Sequence, residues 1–395
     1  MILYKTPKIY PGTKLNKIAK LEFFNSPKKS KKIQLDLNTK KQFFILTGFN
    51  GSGKSRMIKI IHEAFTVLRN SKYSSPISDW AFQCTLTDEV RVRGLKMRQG
   101  SATKEEINDL FDDFFANDLD LETVYNKGSS LVNREARAKF STSANSDNEE
   151  VDHFSGSGCL MTPEFASKNS PDSYSQSLKM VAYIDEEIHY NAPDKVVNSV
   201  IKGKQPDLTL DKTLASLIYD FVVDRAYADD FKNKVAAIIG ATESNKGISK
   251  EKIRQAVNTA MQELDTQKNF EVNPVFDELN NFFSMTNRKL VWLNNTIYMD
   301  VIDEGIFSFV EFSKGEKTLL ALMLAVYLNR ENSYFLMDEP DLSLHVEWQE
   351  QLLPAFQRLA PQTQFIIATH SPFLIMQTQS EQVFNLAKIF KEQAA

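Results

Sequence analysis

A glycine-rich stretch, GFNGSGKS from Gly48 to Ser55, has the spacing of a phosphate-binding loop (P-loop). Its glycines allow the backbone to turn tightly around an anion, so that successive N–H groups and the start of the next helix face the phosphates of a nucleotide. Lys54 would add a positive charge at the outer phosphates, and the Ser55 hydroxyl would bind Mg²⁺. The residues that this pattern predicts to contact a nucleotide are Asn50, Gly51, Ser52, Gly53, Lys54 and Ser55.

The residues on either side of the P-loop predict a strand before it and a helix after it. The apolar run from Phe43 to Thr47 is typical of a buried strand. Helical spacing follows in Met57, Ile58, Ile61, Ala64 and Phe65. A plain connection between strand and helix is the alternative, but Lys54 and Ser55 favour phosphate binding. The loop alone does not distinguish a kinase, a GTPase and an ATPase.

Two acidic residues end a second apolar strand in the last part of the chain. The stretch SYFLMDEP places Asp338 and Glu339 where charged side chains meet ligands at the edge of a doubly wound sheet. Asp338 would hold Mg²⁺ through water, and Glu339 would polarise the water that attacks the γ-phosphate. Alone, such a pair is more often a helix cap or a surface turn; together with the P-loop it predicts the second half of a nucleotide site.

Two further elements could contact phosphate. The stretch EFSKGEKTLLALML places Ser313 and Gly315 at the start of an apolar helix, where a hydroxyl and free N–H groups can face a second anion. The stretch FIIATHSP ends another strand at His370, which can donate a hydrogen bond to a γ-phosphate oxygen.

The order of these four elements resembles that of the ABC-type ATPases, and within these AAA-family ATPases it is most similar to the RecF and SMC branch. The resemblance covers residues 1–100 and 290–390. It implies an α/β fold, an ABC-type P-loop ATPase head with a mixed sheet flanked by helices and an inserted helical lid. It also implies ATP and Mg²⁺ as ligands and hydrolysis of ATP to ADP and phosphate.

The resemblance further implies a homodimer, or a higher oligomer, in which two protomers enclose two ATP molecules. Ser313 and Gly315 would reach the nucleotide held by the partner's Lys54, while Glu339 and His370 would be catalytic. Asp341 would belong to a loop that crosses the interface. Two residues depart from the family pattern: Phe312 replaces a leucine, and Lys314 replaces a small residue.

The glutamine that binds Mg²⁺ and water in the family has no obvious equivalent in this chain. Gln83 is one candidate, and the stretch around Asp185 and Glu186 is the other.

Composition predicts an ordinary globular protein of the cytoplasm. The 395 residues are 42% hydrophobic and 25% charged, with a net charge of -4. No overall charge therefore attracts nucleic acid, and binding to it would need a local patch. Two cysteines, Cys84 and Cys159, form no disulfide framework or metal-ligand cluster. No signal peptide or membrane span is predicted, so we expect no membrane partner.

We predict three parts of the chain. They are an N-terminal part of the ATPase head with the P-loop at 1–100, an insertion at 101–289, and a C-terminal part of the head at 290–395. Within the insertion we expect a polar loop at 141–158, a strand near 178–188 and a helical lid at 211–289.

The predicted function is that of a nucleotide-dependent switch or scaffold that controls a separate effector protein, such as a nuclease or a toxin. Small ATPases of this branch with a helical lid resemble the PtuA-like components of bacterial anti-phage defence. The alternative is a RecF-like ATPase of DNA repair or chromosome maintenance that clamps duplex DNA. Its candidate DNA contacts are Lys28, Lys29, Lys31, Lys32, Arg91, Arg93, Lys96 and Arg98, although a solvated strand face and an exposed turn are the favoured explanation of these residues.

Overall fold

The computed structural model describes residues 16–67, 79–97, 106, 109–110, 113, 119–130, 158–164, 178–190, 209–226, 273–293, 296–331 and 333–392. Its strands are β1 (Ile18–Phe24), β2 (Lys32–Asp36), β3 (Phe43–Thr47), β4 (Trp80–Leu86), β5 (Arg91–Met97), β6 (Gly158–Glu164), β7 (Lys179–Ile184), β8 (Glu187–Tyr190), β9 (Arg288–Leu293), β10 (Thr296–Val301), β11 (Gly305–Ser308), β12 (Ser333–Asp338), β13 (Gln364–Ala368) and β14 (Val383–Asn385). Its helices are α1 (Lys54–Val67), α2 (121–130), α3 (Thr209–Ala226), α4 (Pro274–Ser284), α5 (Lys314–Leu328), α6 (Val346–Leu359), α7 (Pro372–Met376) and α8 (Leu386–Glu392).

A six-stranded sheet forms the centre, in the order β14-β3-β13-β12-β7-β8. Its first five strands are parallel, and β8 closes the edge antiparallel to β7. Leu46 pairs with Ala368, and Ala368 pairs with Asp338, so the carboxyl ends of β3, β13 and β12 lie level. The three strands are nearly continuous apolar runs because helices or a second sheet cover both faces.

Alternate residues of these strands pack into two cores on opposite faces of the sheet. On β3, Phe43 and Ile45 belong to the first core, while Phe44 and Leu46 belong to the second. Helices α3 to α6 and the antiparallel sheet β11-β10-β9 build the first core. Helix α1 and the first strands of the chain build the second.

A five-stranded antiparallel sheet, β2-β1-β4-β5-β6, lies beyond α1. An ion pair between Lys96 on β5 and Glu63 on α1, with Nζ and Oε1 2.6 Å apart, joins sheet and helix where both side chains are buried. The Trp80 indole also donates to Glu63, over 3.2 Å, so the buried carboxylate has partners on two strands. These contacts therefore hold the antiparallel sheet against α1, the helix that follows the P-loop.

The predicted α/β fold, with a mixed sheet flanked by helices, is confirmed. The strand expected near 178–188 is the hairpin of β7 and β8, and it belongs to the central sheet. Helix α3 packs along α5, where Lys317 and Asp211 form a buried ion pair of 2.8 Å. Residues 141–157 of the polar loop predicted at 141–158 lie outside the described residues, and Gly158 is the first residue of β6. Residues 227–272 of the predicted lid also lie outside them, and the domain boundaries stay predictions.

Among the helices that the structure describes, none combines the length and the apolar character needed to cross a lipid bilayer.

Candidate nucleotide-binding site

The P-loop connects β3 to α1 through glycines in backbone conformations that other residues rarely adopt. The φ angles are +136° at Gly48, +75° at Gly51 and +95° at Gly53. A Cβ atom on Gly53 would lie 2.1 Å from Cβ of Pro27, in the connection between β1 and β2. The first hairpin of the chain therefore presses directly on the P-loop, a contact that the sequence pattern did not reveal.

Lys54 begins α1 and lies almost fully buried. Its Nζ lies 3.4 Å from the carbonyl oxygen of Gly48 and 2.6 Å from Nε2 of His370. Burial lowers the pKa of Lys54, and the carboxylates of Glu339 and Asp338 oppose that shift. The ammonium group of Lys54 thus lies at the loop beside a carbonyl oxygen and a ring nitrogen. An incoming phosphate could replace both of these partners.

Ser55 and Asp338 bring two oxygen atoms together. The Ser55 hydroxyl donates to Oδ1 of Asp338 over 2.8 Å. A serine hydroxyl and a carboxylate at the end of a neighbouring strand are oxygen donors of the kind that Mg²⁺ takes, with nucleotide phosphates and water completing its shell. The two side chains therefore fit a magnesium site. Burial raises the pKa of Asp338, while the hydrogen bond from Ser55 opposes that shift.

Glu339 follows β12 with a left-handed backbone, φ +49°, which is unfavourable for a residue with a side chain. Its N–H donates to the carbonyl of Ala368 over 2.8 Å, and its carboxylate accepts from the N–H of His370 over 3.2 Å. Burial raises the pKa of Glu339. This backbone turn aims the carboxylate across the end of β13, beside Lys54 and His370.

His370 accepts a hydrogen bond in this arrangement. Burial, and then the charge of Lys54, lower the pKa of His370, so at neutral pH the ring is uncharged and Nε2 accepts a hydrogen bond from the ammonium group. Nε2 also lies 3.6 Å from Oε1 of Glu339. The sequence predicted that His370 donates to a phosphate oxygen; in the structure its Nε2 contacts Lys54, and the contact with phosphate stays a prediction.

Ser313 and Gly315 start α5, as predicted. Ser313 is the N-cap residue, and its N–H donates to Oε2 of Glu316 over 2.7 Å in a capping box. A Cβ atom on Gly315 would lie 2.5 Å from the carbonyl oxygen of Ser343, so only glycine permits this contact with the loop after β12. Phe312, the departure from the family pattern, is a buried member of the first core.

In the loop after the acidic pair, a buried residue is followed directly by an exposed one. Asp341 is buried within its own chain and accepts from the Thr369 hydroxyl over 2.6 Å. The next residue, Leu342, is 73% exposed. Phe49 in the P-loop and Met376 at the end of α7 are 75% and 81% exposed. All three lie in segments that follow the carboxyl ends of adjacent parallel strands, so exposed apolar residues occur in the connections at the edge of the sheet where the candidate site lies.

The turn of Asp185 and Glu186 lies at the same edge, because β7 pairs in parallel with β12 and Met337 pairs with Tyr183. Gln83 does not reach the site. It lies on β4 and donates to Glu22 over 2.7 Å, and it accepts from Arg93 over 2.8 Å. Of the two candidates for the loop glutamine, Gln83 is therefore the one that the structure does not support, because the alternation of β4 turns its side chain to the face opposite the core that α1 joins.

The expectation that the basic residues of β5 form a solvated face is also wrong. Arg93 and Lys96 are 2% and 1% exposed, since Arg93 bonds to Gln83 and Lys96 pairs with Glu63. Lys28, Lys29 and Lys32 remain exposed near the β1–β2 turn, and Arg98 lies outside the described residues. Among the described basic residues named for DNA binding, Arg93 and Lys96 thus do not share an exposed surface with the lysines of the β1–β2 turn.

Comparison with protein families gives a match over residues 167–376, more than half of the chain, to the family described as "AAA domain, putative AbiEii toxin, Type IV TA system". The match includes the strands ending at Asp338 and His370 and the start of α5. The P-loop at 48–55 lies before the matched residues.

Two curated relatives are ATPases of retrons. The chain is 24% identical over 383 residues to the "Retron Vc95 probable ATPase" of Vibrio cholerae serotype O1 biovar El Tor, covering 88% of this chain and 69% of the relative. It is 27% identical over 140 residues to the "Retron Ec83 probable ATPase" of Escherichia coli, covering 28% of this chain and 26% of the relative.

Comparison with solved structures gives matches to heads of SMC proteins. An Smc head bound to the C-terminal winged-helix domain of ScpA has a TM-score of 0.42 and 14% identity, covering 95% of this chain and 99% of that one. The SMC head domain of Thermotoga maritima has a TM-score of 0.39 and 12% identity, covering 92% of each chain.

The contact between Gly53 and Pro27 predicts different effects for two glycines of one loop. We expect Gly53→Ala to lower the free energy of unfolding of the nucleotide-free protein by about 1–3 kcal/mol more than Gly51→Ala does. Both glycines have positive φ, but a Cβ atom on Gly51 would meet nothing within 4 Å. Chemical denaturation of both variants measures the difference, and equal losses would contradict the contact.

The raised pKa of Glu339 predicts a stability gain when its charge is removed. The native pKa lies above the ordinary 4.5, so the ionised carboxylate disfavours the folded state at every pH above that native value. We expect Glu339→Gln to raise the midpoint of thermal unfolding at pH 7 to 8, and the gain to disappear below about pH 4.5.

The control for this pH series is Glu350→Gln, which removes a carboxylate from the exposed surface of α6. It should leave the unfolding midpoint nearly unchanged across the range. A lower midpoint for Glu339→Gln at neutral pH would mean that hydrogen bonding to His370 outweighs the effect of burial.

Proposed function

Because the chain belongs to the AAA-domain family of the AbiEii type, we propose that it binds ATP with Mg²⁺, hydrolyses it, and uses the nucleotide to join two copies of itself. The observation that carries this proposal is the convergence of Lys54, Ser55, Asp338, Glu339 and His370 at one edge of a parallel sheet. A phosphate loop beside a hydroxyl–carboxylate pair and a second carboxylate is the set of groups that nucleotide hydrolysis requires.

Nucleotide binding would replace the contacts of Lys54 with uncharged groups by stronger contacts with phosphate. The γ-phosphate would replace the Gly48 carbonyl and His370 as the partner of Lys54, and charge-assisted hydrogen bonds to phosphate are stronger than neutral ones. His370, released from Lys54, could then donate to a γ-phosphate oxygen. Asn50, Gly51, Ser52 and Gly53 would direct their N–H groups to the phosphates. Ser55 and Asp338 would hold Mg²⁺, which neutralises charge on the phosphates.

Hydrolysis would depend on Glu339. Its carboxylate lies beside Lys54 and is fixed by the N–H of His370, so it could accept a proton from water as that water attacks the γ-phosphate. A pKa raised by burial makes the carboxylate a stronger base than it is in water. His370 would orient the carboxylate and the phosphate relative to each other.

Dimer formation would bring Ser313 and Gly315 onto the nucleotide of the second copy. The exposed Phe49, Leu342 and Met376 support such pairing, because apolar side chains around a polar site are typical of a surface that becomes covered. Loss of the γ-phosphate on hydrolysis would then remove contacts from both protomers and loosen the pair.

The biological role that we propose is bacterial anti-phage defence. It is supported by the resemblance of this chain to two ATPases of retrons. In this proposal the ATP-linked homodimer, or a higher oligomer built from it, works in the cytoplasm as a switch for a separate effector protein such as a nuclease or a toxin.

Substituting Glu339 with Gln tests hydrolysis and dimer formation together. We expect the turnover of ATP to fall by roughly 10²- to 10⁴-fold, since a general base contributes that much, while ATP binding persists. The variant should therefore remain dimeric with ATP and Mg²⁺. Phosphate release and solution mass by light scattering provide the two measurements.

Lys54→Ala and Glu350→Gln are the controls for this experiment. The first should abolish both nucleotide binding and dimerisation, and the second should leave both intact because it lies on the exposed surface of α6. A Glu339→Gln protein that stays monomeric with ATP would contradict the dimer, and one that hydrolyses ATP normally would exclude Glu339 as the base.

The effector is tested by purifying the Glu339→Gln protein from its native host with ATP present. We expect a second protein in fixed stoichiometry, released when ADP replaces ATP. Co-purifying duplex DNA with steeply salt-dependent binding would instead favour a clamp. A dimer with normal cellular function despite the Glu339→Gln change would indicate a scaffold that does not need hydrolysis.

A further inference from the structure

The connection between β7 and β8 is a two-residue turn made of two acidic residues. Ile184 pairs with Glu187, and between them Asp185 and Glu186 have φ angles of +52° and +65°. Such turns favour asparagine, aspartate and glycine, because both central residues must adopt the left-handed conformation. Asp185 fits this preference, whereas Glu186 is unfavourable for the backbone, which points to a task for its side chain.

Each carboxylate of the turn pairs with a lysine on a different phosphate-binding element. Asp185 accepts from Nζ of Lys59 on α1 with both oxygens, at 2.9 Å and 2.7 Å. Glu186 accepts from Nζ of Lys314, the first residue of α5, at 2.5 Å. The turn therefore links the helix that follows the P-loop to the start of the helix that Ser313 caps.

Lys314 is placed where a cation is unfavourable unless an anion is close. It lies in the first turn of α5, and the positive end of the helix dipole repels its charge. The pair with Glu186 compensates for this, but the side chains are 56% and 46% exposed, so water competes for both groups. The contact is therefore weak enough to be exchanged for a phosphate.

We propose that Lys314 contacts the γ-phosphate of the ATP held by the second protomer, and that Glu186 is a positioning residue that holds Lys314 until this phosphate arrives. The inference rests on the proposed ATP-linked dimer. Lys314 follows Ser313 directly, so a phosphate that reaches Ser313 in that dimer lies within reach of the lysine side chain.

The exchange would help the protein to distinguish ATP from ADP. The γ-phosphate, with its high negative charge, can compete with a carboxylate for Lys314, whereas ADP offers no charge at that position. With ADP, Lys314 would return to Glu186. Glu186 would thus weaken only the ATP-bound dimer, in which Lys314 must leave it, and without Glu186 that dimer would form at lower protein concentration.

The experiment measures the dissociation constant of the ATP-bound dimer by analytical ultracentrifugation, with every variant made in the Glu339→Gln protein. We expect Lys314→Gln to weaken the dimer by about tenfold or more, because a charge-assisted hydrogen bond is lost at each of two sites. Glu186→Gln should tighten the dimer by roughly two- to fivefold, the range of an exposed ion pair.

The variant that carries both Lys314→Gln and Glu186→Gln tests whether Glu186 acts through Lys314. If Glu186 acts through Lys314, Glu186→Gln has no further effect once Lys314 is glutamine, and the two changes are not additive. Lys314→Arg, which keeps the positive charge, should retain most of the dimer affinity of the Glu339→Gln parent protein. Lys289→Gln, which removes an exposed lysine from β9, is the charge-matched control and should change the constant little.

Two outcomes would overturn the inference. Equal effects of Lys314→Gln and Lys289→Gln would show that only net charge matters, and tightening by Glu186→Gln in the absence of Lys314 would show that Glu186 acts elsewhere. If the parent Glu339→Gln protein forms no dimer with ATP, the proposed function fails as well, so the two failures are distinguishable. Thermal unfolding of each variant confirms that it is folded.

Discussion

The parallel pairing of β3, β13, β12 and β7 is the constraint on which the candidate site depends. In-register hydrogen bonding brings Leu46, Ala368 and Asp338 level, so that the residues that follow each strand emerge at one edge. Residues far apart in the chain, such as Lys54 and His370, thereby come within 2.6 Å. The two cores on opposite faces fix this register, since a shift of one residue would exchange the buried faces of every strand.

The edge so formed is electrostatically unfavourable without a ligand. Asp338, Glu339 and Asp341 all have pKa values raised by burial, while burial lowers those of Lys54 and His370. In each of these groups, burial therefore disfavours the charged form. In the proposed function, a phosphate bound together with Mg²⁺ would bring charges of both signs to this edge.

The sequence could predict the elements with strict local chemistry. Glycines at positive φ, Lys54 and the apolar strands ending at Asp338 and His370 are visible because backbone geometry and ion binding restrict the residue types. Contacts set only by tertiary packing were not predictable. Pro27 against Gly53 and Thr369 bonded to Asp341 leave no local pattern. The solvated face expected for β5 was wrong because burial of Lys96 depends on Glu63, 33 residues away.

The hairpin of β7 and β8 shows how a sheet edge can couple two helices. Because β7 pairs with β12, its turn lies beside the acidic pair, and because Ile184 pairs with Glu187, only two residues form that turn. A lysine on α1 and one on α5 each contact one of these two residues. Any nucleotide that attracts either lysine would change the partner of a carboxylate in this turn. In the proposed dimer, occupancy of the P-loop and exposure of the α5 start would consequently be linked within a single chain.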